Sequence, residues 1–284
     1  MRGEFVDVGG VRLYCYAFGQ RGAGHPIVLI HGCFTSSRLW QDVLPRLPKG
    51  HRVLVLDLLG HGRSDPPGAA SMTVAGHTER VAPLLDIMGL REAILVGHGM
   101  GAAIAARVAH TQPERVSQLM LVNPALLTNV PRDAYLTRRI QRVAALVPLW
   151  KRLSPTWMAS ALHAALLPCF AHRDVGARSL DVYLKPFMLR QGRDAACAQL
   201  TALAASRYDS VDTLAPNAIR CETSLVVGST DPFLRDARFR RLRDALQDAT
   251  LRDLGVHVLP GVAHVAPEEA PDRLGTLVGE LLAR

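Results

Sequence analysis

Apolar positions in the first third of the chain alternate between two rhythms. Phe5-Val6-Asp7-Val8 and Val11-Arg12-Leu13-Tyr14-Cys15-Tyr16 flank Gly9-Gly10 and read as a β-hairpin on a Gly-Gly turn. Continuous apolar runs follow at 26–30, 53–56, 93–96 and 119–122, the pattern of strands covered on both faces. Helical spacing predicts helices between them over 39–47, 74–88 and 102–110. Strands separated by helices imply a mostly parallel sheet with right-handed crossovers.

The rhythm changes after Pro124. Apolar residues then recur at helical spacing, with one face at Leu136, Ile140, Val143, Ala144 and Val147. A second face runs through Trp157, Met158, Ala161, Leu162 and Ala165, and a third through Leu180, Tyr183, Leu184 and Phe187. Pro148, Pro155 and Pro168 punctuate the segment. The expectation is an all-helical insertion over 124–216 within a core domain of 1–123 plus 217–284. Strand and helix signals resume at 223–228, 236–246, 256–259 and 271–282.

Composition narrows the class. The chain of 284 residues is 49% hydrophobic and 20% charged, enough for one large core with an insertion. No apolar run is long enough to span a bilayer, and the first residues, Met1-Arg2-Gly3-Glu4, carry no apolar signal region. Cys15, Cys33, Cys169, Cys197 and Cys221 are scattered and odd in number, which argues against a zinc site or disulfide framework and for a reducing, cytoplasmic setting. The net charge is +8, and twelve Lys or Arg against six Asp or Glu between Asn123 and Pro216 carry most of it. No Lys/Arg run with interleaved aromatics points to nucleic acid. There is no metal or cofactor motif, neither G-x-G-x-x-G after the first strands nor a phosphate-binding loop, so none is expected.

The candidate chemistry is concentrated in Gly97-His98-Gly99-Met100-Gly101. It follows the apolar run at 93–96 and opens a small-residue helix, the setting of the nucleophile elbow G-x-S-x-G. Glycine stands at the centre, so position 99 cannot form an acyl-enzyme. Other landmarks are His31-Gly32-Cys33-Phe34 after an early strand, Asp57-Leu58-Leu59-Gly60-His61-Gly62-Arg63-Ser64, Gly228-Ser229-Thr230-Asp231-Pro232 after a late strand, and Gly261-Val262-Ala263-His264 followed by Glu268-Glu269.

On these motifs the chain resembles the α/β-hydrolase superfamily of the helical-cap type along nearly its whole length. The resemblance implies an α/β fold in which Asp231 is the acid, His264 the general base, and the amides of Cys33 and Met100 the oxyanion donors. Asp231 would orient the imidazole and stabilise its charged form. Each oxyanion donor is worth roughly 3 kcal/mol in the transition state. An oriented base beside such donors can abstract a substrate proton or activate water without a serine. Elimination, cyclisation, C–C cleavage and water-mediated hydrolysis of a small, largely apolar carbonyl compound are the reactions open to it.

Two other readings stay open at this point. The chain is a non-catalytic ligand- or partner-binding descendant, or an ester or thioester hydrolase disabled at Gly99. Ser36 and Ser37 are read as helix caps, and His61, Arg63 and Asp65 as structural members of a turn. Phe34, His98, Trp157 and Phe187 are candidate substrate contacts, although His98 also suits a structural place beneath the elbow. The basic insertion is expected to act as a cap, with an anionic substrate or acidic carrier protein as its partner.

Overall fold

A computed structural model describes residues 3–19, 24–68, 71–124, 142–150, 155–205, 217–234, 237–250 and 254–283. Eight strands form one sheet: β1 (Glu4–Val8), β2 (Val11–Phe18), β3 (Ile27–Ile30), β4 (Val53–Leu56), β5 (Ala93–His98), β6 (Val116–Val122), β7 (Glu222–Gly228) and β8 (Leu254–Leu259). Their spatial order is β1-β2-β4-β3-β5-β6-β7-β8. The hairpin β1–β2 joins β4 antiparallel, and every other pairing is parallel. This is the α/β-hydrolase fold.

Alternation along the central strands divides the core. Val28 and Ile30 of β3 and Ala93 and Leu95 of β5 pack to one face, with α1 (Val74–Ile87) and α2 (Met100–Thr111). Ile27, Leu29, Ile94 and Val96 pack to the other. A strand needs apolar residues at every position when both faces are covered, which is why these runs are continuous in sequence. Helix α1 begins at Thr73, whose side chain accepts from the Gly76 amide.

Between β6 and β7 the described residues include four α-helices, α3 (Val147–Trp150), α4 (Pro155–Leu166), α5 (Arg173–Leu184) and α6 (Arg190–Ala205), with 3-10 turns at Leu167–Cys169 and Lys185–Met188. Buried residues of these helices, including Trp150, Met158, Leu162, Leu180 and Leu200, join the second core face together with Phe187 of the 3-10 turn Lys185–Met188. After β7 come α7 (Ala237–Ala249), α8 (Ala266–Glu269) and α9 (Pro271–Leu282). In α9, Leu274, Leu277, Val278 and Leu281 recur at helical spacing and are buried. The expected face at Leu136 and Ile140, and both ends of the expected insertion, lie outside the described residues.

One expected helix is corrected. Residues 39–47 form two short 3-10 turns, Ser37–Trp40 and Leu44–Arg46, in place of an α-helix. Pro45 near the start of the second turn has no N–H to continue a helical ladder from the first. Apolar spacing there reflects Leu39, Trp40 and Val43 plugging the core. Ser36 does accept from the Arg38 amide, whereas the Ser37 amide donates to Asp57.

Candidate active site

Strand β5 runs into α2 through Gly99, whose backbone lies at φ 56° and ψ −115°. L side chains hold that region only under strain. The flanking glycines have a different cause. A Cβ on Gly97 would lie 2.3 Å from the Gly101 carbonyl oxygen, and one on Gly101 2.3 Å from the Ile30 oxygen. Backbone therefore meets backbone on both sides of the turn, and only glycine permits that approach.

The loops after β7 and β8 bring Asp231 to His264. The Thr230 amide donates to the Val262 carbonyl, and the Ser229 amide to the Leu259 carbonyl. His264 Nδ1 lies 2.9 Å from Asp231 Oδ2. The carboxylate is fully buried, and its Oδ1 also accepts from the Phe233 amide at 2.8 Å. A buried carboxylate requires such partners. The Phe233 ring meets the imidazole edge-on, with centroids 4.8 Å apart. With Nδ1 donating to Asp231, Nε2 remains the basic nitrogen. It lies 3.5 Å from the place a Cβ on Gly99 would occupy, and the Gly32 Cα lies 3.8 Å from that place.

Cys33 follows β3, and Met100 opens α2. Their sulfurs are 3.4 Å apart. Phe34, at φ 56° and 2% exposed, holds a left-handed turn beside Cys33. Its ring meets Phe187 edge-on, with centroids 5.9 Å apart, and Phe187 is 3% exposed.

Two expected substrate contacts lie elsewhere. His98 is buried beneath the turn, and its Nε2 hydrogen-bonds the His264 carbonyl at 2.8 Å. Burial pushes its pKa down to about 3, so it holds backbone as a neutral ring. Trp157 is 74% exposed on α4. The inward stripe of that helix is Met158, Leu162 and Ala165, spaced i, i+4, i+7, and Trp157 precedes it by one residue, on the adjoining outer face.

Sequence reasoning missed Asn123 as a site residue. Its buried amide donates to the carbonyls of Ala263 (2.9 Å) and His264 (2.7 Å), and its Oδ1 accepts from the Gly228 amide (2.8 Å). A polar residue directly ending an apolar strand was the available signal. Glu269 was also underused. It accepts from the Ala171, His172 and Ala263 amides, while Glu268 accepts from Ser179 and Tyr183 of α5. The His264 amide donates to the Cys169 carbonyl at 2.9 Å. The histidine loop is thus fastened to the helices between β6 and β7.

The turn residues have structural partners. Asp57 accepts from the Ser37 and Arg63 amides, Arg63 donates to the Tyr14 hydroxyl, and Asp65 pairs with Arg12. His61 is buried between His31 and His77, with ring centroids 5.1 and 6.2 Å away. No cluster of metal-ligand type occurs among the described residues.

The chain belongs to the alpha/beta hydrolase fold family, whose profile matches residues 25–233. Among curated proteins, 2-hydroxymuconate semialdehyde hydrolase of Pseudomonas sp. (strain CF600) is 28% identical over 99% of this chain and 94% of its own. Lipase LipV of Mycobacterium tuberculosis is 34% identical over 41% of this chain and 43% of its own. An uncharacterized protein of Mycobacterium tuberculosis is 36% identical over 44% of this chain, and that alignment spans 36% of the relative's length. Among solved structures, an alpha/beta hydrolase fold protein from Burkholderia ambifaria superposes with a TM-score of 0.78 at 25% identity, covering both chains fully. The enol-lactonase from Burkholderia xenovorans superposes at 0.76 with 22% identity, covering 99% of this chain and all of that one.

Proposed function

We propose that this chain is a serine-independent enzyme acting on a small, largely apolar carbonyl compound. His264 is the general base, Asp231 orients it, and the Cys33 and Met100 amides stabilise the developing oxyanion. Residues 124–216 form a cap on a core of 1–123 plus 217–284. Phe34 and Phe187 supply the apolar contact. The observation that carries this reading is the oriented imidazole, with Nε2 3.5 Å from the Cβ position of a residue that has no side chain. A water or a substrate proton donor fits where a serine hydroxyl would stand. His264 takes its proton while electron density moves to the carbonyl oxygen, and the acidic imidazolium returns the proton to the leaving group.

The 2-hydroxymuconate semialdehyde hydrolase likeness supplies a first substrate to try, beside aryl acetates and aryl thioesters. His264→Ala and Asp231→Asn should lower turnover, and intact mass should show no acyl adduct at any stage. Absence of wild-type turnover on all of them, with ligand affinity indifferent to His264→Ala, overturns the reading. The excess of basic residues in the cap supports an anionic substrate or an acidic carrier protein. Affinity for such a partner should fall as salt rises. Five cysteines, odd in number and scattered along the chain, support a reducing, cytoplasmic setting.

A second reading is favoured by the backbone at Gly99, which keeps the strained elbow geometry although glycine requires no such turn. In this reading the chain is an ester or thioester hydrolase disabled at one position. Gly99→Ser should then cleave an aryl acetate through an acyl adduct visible by intact mass, and an inert, folded Ser variant counts against it.

A further inference from the structure

Glu268 follows His264 by four residues and stands where three pieces of the fold meet. It lies in α8, which packs against the 3-10 turn Ser37–Trp40. Its carboxyl reaches across to α5, where the Ser179 hydroxyl meets Oε2 and the Tyr183 hydroxyl meets Oε1. Ser179 and Tyr183 are spaced i, i+4, so one face of α5 presents both hydroxyls to one carboxyl. Tyr183 is 5% exposed, and its burial, then the Glu268 charge, hold the phenol well above its ordinary range, so it is a neutral donor.

Both bonded partners of the carboxyl are hydroxyls, and no cation is among them. The charged groups that face it are Asp42, which opposes ionisation, and Arg38, which favours it, and both are exposed. A half-buried carboxylate in such company loses more to desolvation than it regains. Burial accordingly pushes the Glu268 carboxyl above its ordinary range, against the pull of the two hydrogen bonds. The neutral acid keeps both bonds: it accepts from Tyr183 on one oxygen and donates from the other to Ser179 Oγ.

The same helix leads to the apolar wall. After Leu184, α5 passes directly into the 3-10 turn Lys185–Met188, which carries Phe187 against the Phe34 ring. Where α5 lies therefore sets where Phe187 lies. We propose that Glu268 is a positioning residue whose protonation fastens α5, and with it Phe187, to the histidine loop, and whose ionisation loosens that hold. The attached helix holds the proton more tightly than a released one, so attachment strengthens as pH falls below neutrality and weakens as it rises. Phe187 as a substrate contact rests on the function proposed above; the attachment of α5 does not.

Amide hydrogen exchange on the full chain, corrected for intrinsic rates, tests this without a substrate. Protection at 173–184 and 185–189, relative to 100–111 of α2, should rise about threefold from pH 8 to pH 6. The internal reference removes any change of stability common to the whole chain. In Glu268→Gln a neutral amide accepts from Tyr183 and donates to Ser179, so relative protection should stay at the pH 6 level throughout. Tyr183→Phe keeps the carboxyl and removes one bond, and should lower relative protection at both pH values. Wild-type relative protection that is the same at pH 8 and pH 6 overturns the proposal. His163, which faces Asp181 of α5 from α4, is untouched in Glu268→Gln. A pH dependence that persists in that variant therefore belongs elsewhere and overturns the proposal too. Protection that moves at 173–184 and not at 185–189 overturns the positioning of Phe187. The base assigned at His264 plays no part in this readout, so the two readings fail separately.

Discussion

The side-chain amide of Asn123 donates to the backbone carbonyl of His264 at 2.7 Å, so the peptide behind the imidazole is fixed from the end of β6. The same amide reaches Ala263, and its oxygen holds the Gly228 amide at the end of β7. One residue thus sets the spacing of three strand ends. Asn123→Leu removes all three bonds within a buried site. Stability should fall by about 3 kcal/mol, as read from urea unfolding. On the proposed mechanism, turnover should fall on the order of 10²-fold, because the imidazole assigned as base is displaced. A variant of wild-type stability and rate contradicts this role.

Gly99 predicts a stability cost that separates backbone from chemistry. At φ 56° and ψ −115° any L side chain is strained by roughly 1–3 kcal/mol. Space is not the obstacle, since the nearest atom to an added Cβ is His264 Nε2 at 3.5 Å. Gly99→Ala and Gly99→Ser should therefore lose similar stability in chemical denaturation. Equal stability of Gly99→Ala and wild type would show that the turn relaxes on substitution.

Four buried histidines set the acid limit of the fold. Burial holds His31 near 4, His61 near 3 and His98 near 3, and holds His77 well below its ordinary value. The unfolded chain binds these protons near pH 6.5. Their contribution is complete above that pH and is lost as pH falls through the window toward 3 to 4. Each neutral histidine costs the folded state about 1.4 kcal/mol per pH unit within it. The urea midpoint should drop steeply between pH 6.5 and 4.5, and His77→Phe should flatten the slope. An unchanged slope in that variant removes His77 from the account.

Glu269 joins the histidine loop to the residues before α5. It accepts from Ala171 and His172 on one oxygen and from Ala263 on the other. Glu269→Gln turns an N–H2 group toward amide donors at one end, so at least one bond is lost. The expected cost is roughly 1.5–3 kcal/mol, because the acceptor is charged. Amide hydrogen exchange should quicken at 171–172 and at 263–264 together. Faster exchange at only one of the two segments would show that they are not joined through this carboxylate.

The sheet was legible because its central strands are apolar at every position, a pattern that leaves little alternative to burial on both faces. Apolar residues mark β8 only over 256–259, and the strand extends back to Leu254 because Gly255 interrupts the run. The 39–47 segment failed because buried anchors around Pro45 mimic helical spacing. In the site, Asp231 and His264 were legible from their strand-end motifs, and the structure brings them into hydrogen-bond range. Trp157 misled because an aromatic beside an inward stripe looks the same in sequence whichever face it takes. Asn123, Glu268 and Glu269 act through partners distant in the chain, which no local pattern records.

On the mechanism proposed above, the bare backbone at residue 99 moves the burden of selectivity outward. A tethered hydroxyl acts at an effective molarity of about 10⁵–10⁸ M whatever compound arrives. With nothing tethered beside the imidazole, the acidic hydrogen must travel in with the guest or with solvent. A guest carrying its own labile proton then has the advantage over one that depends on a captured water.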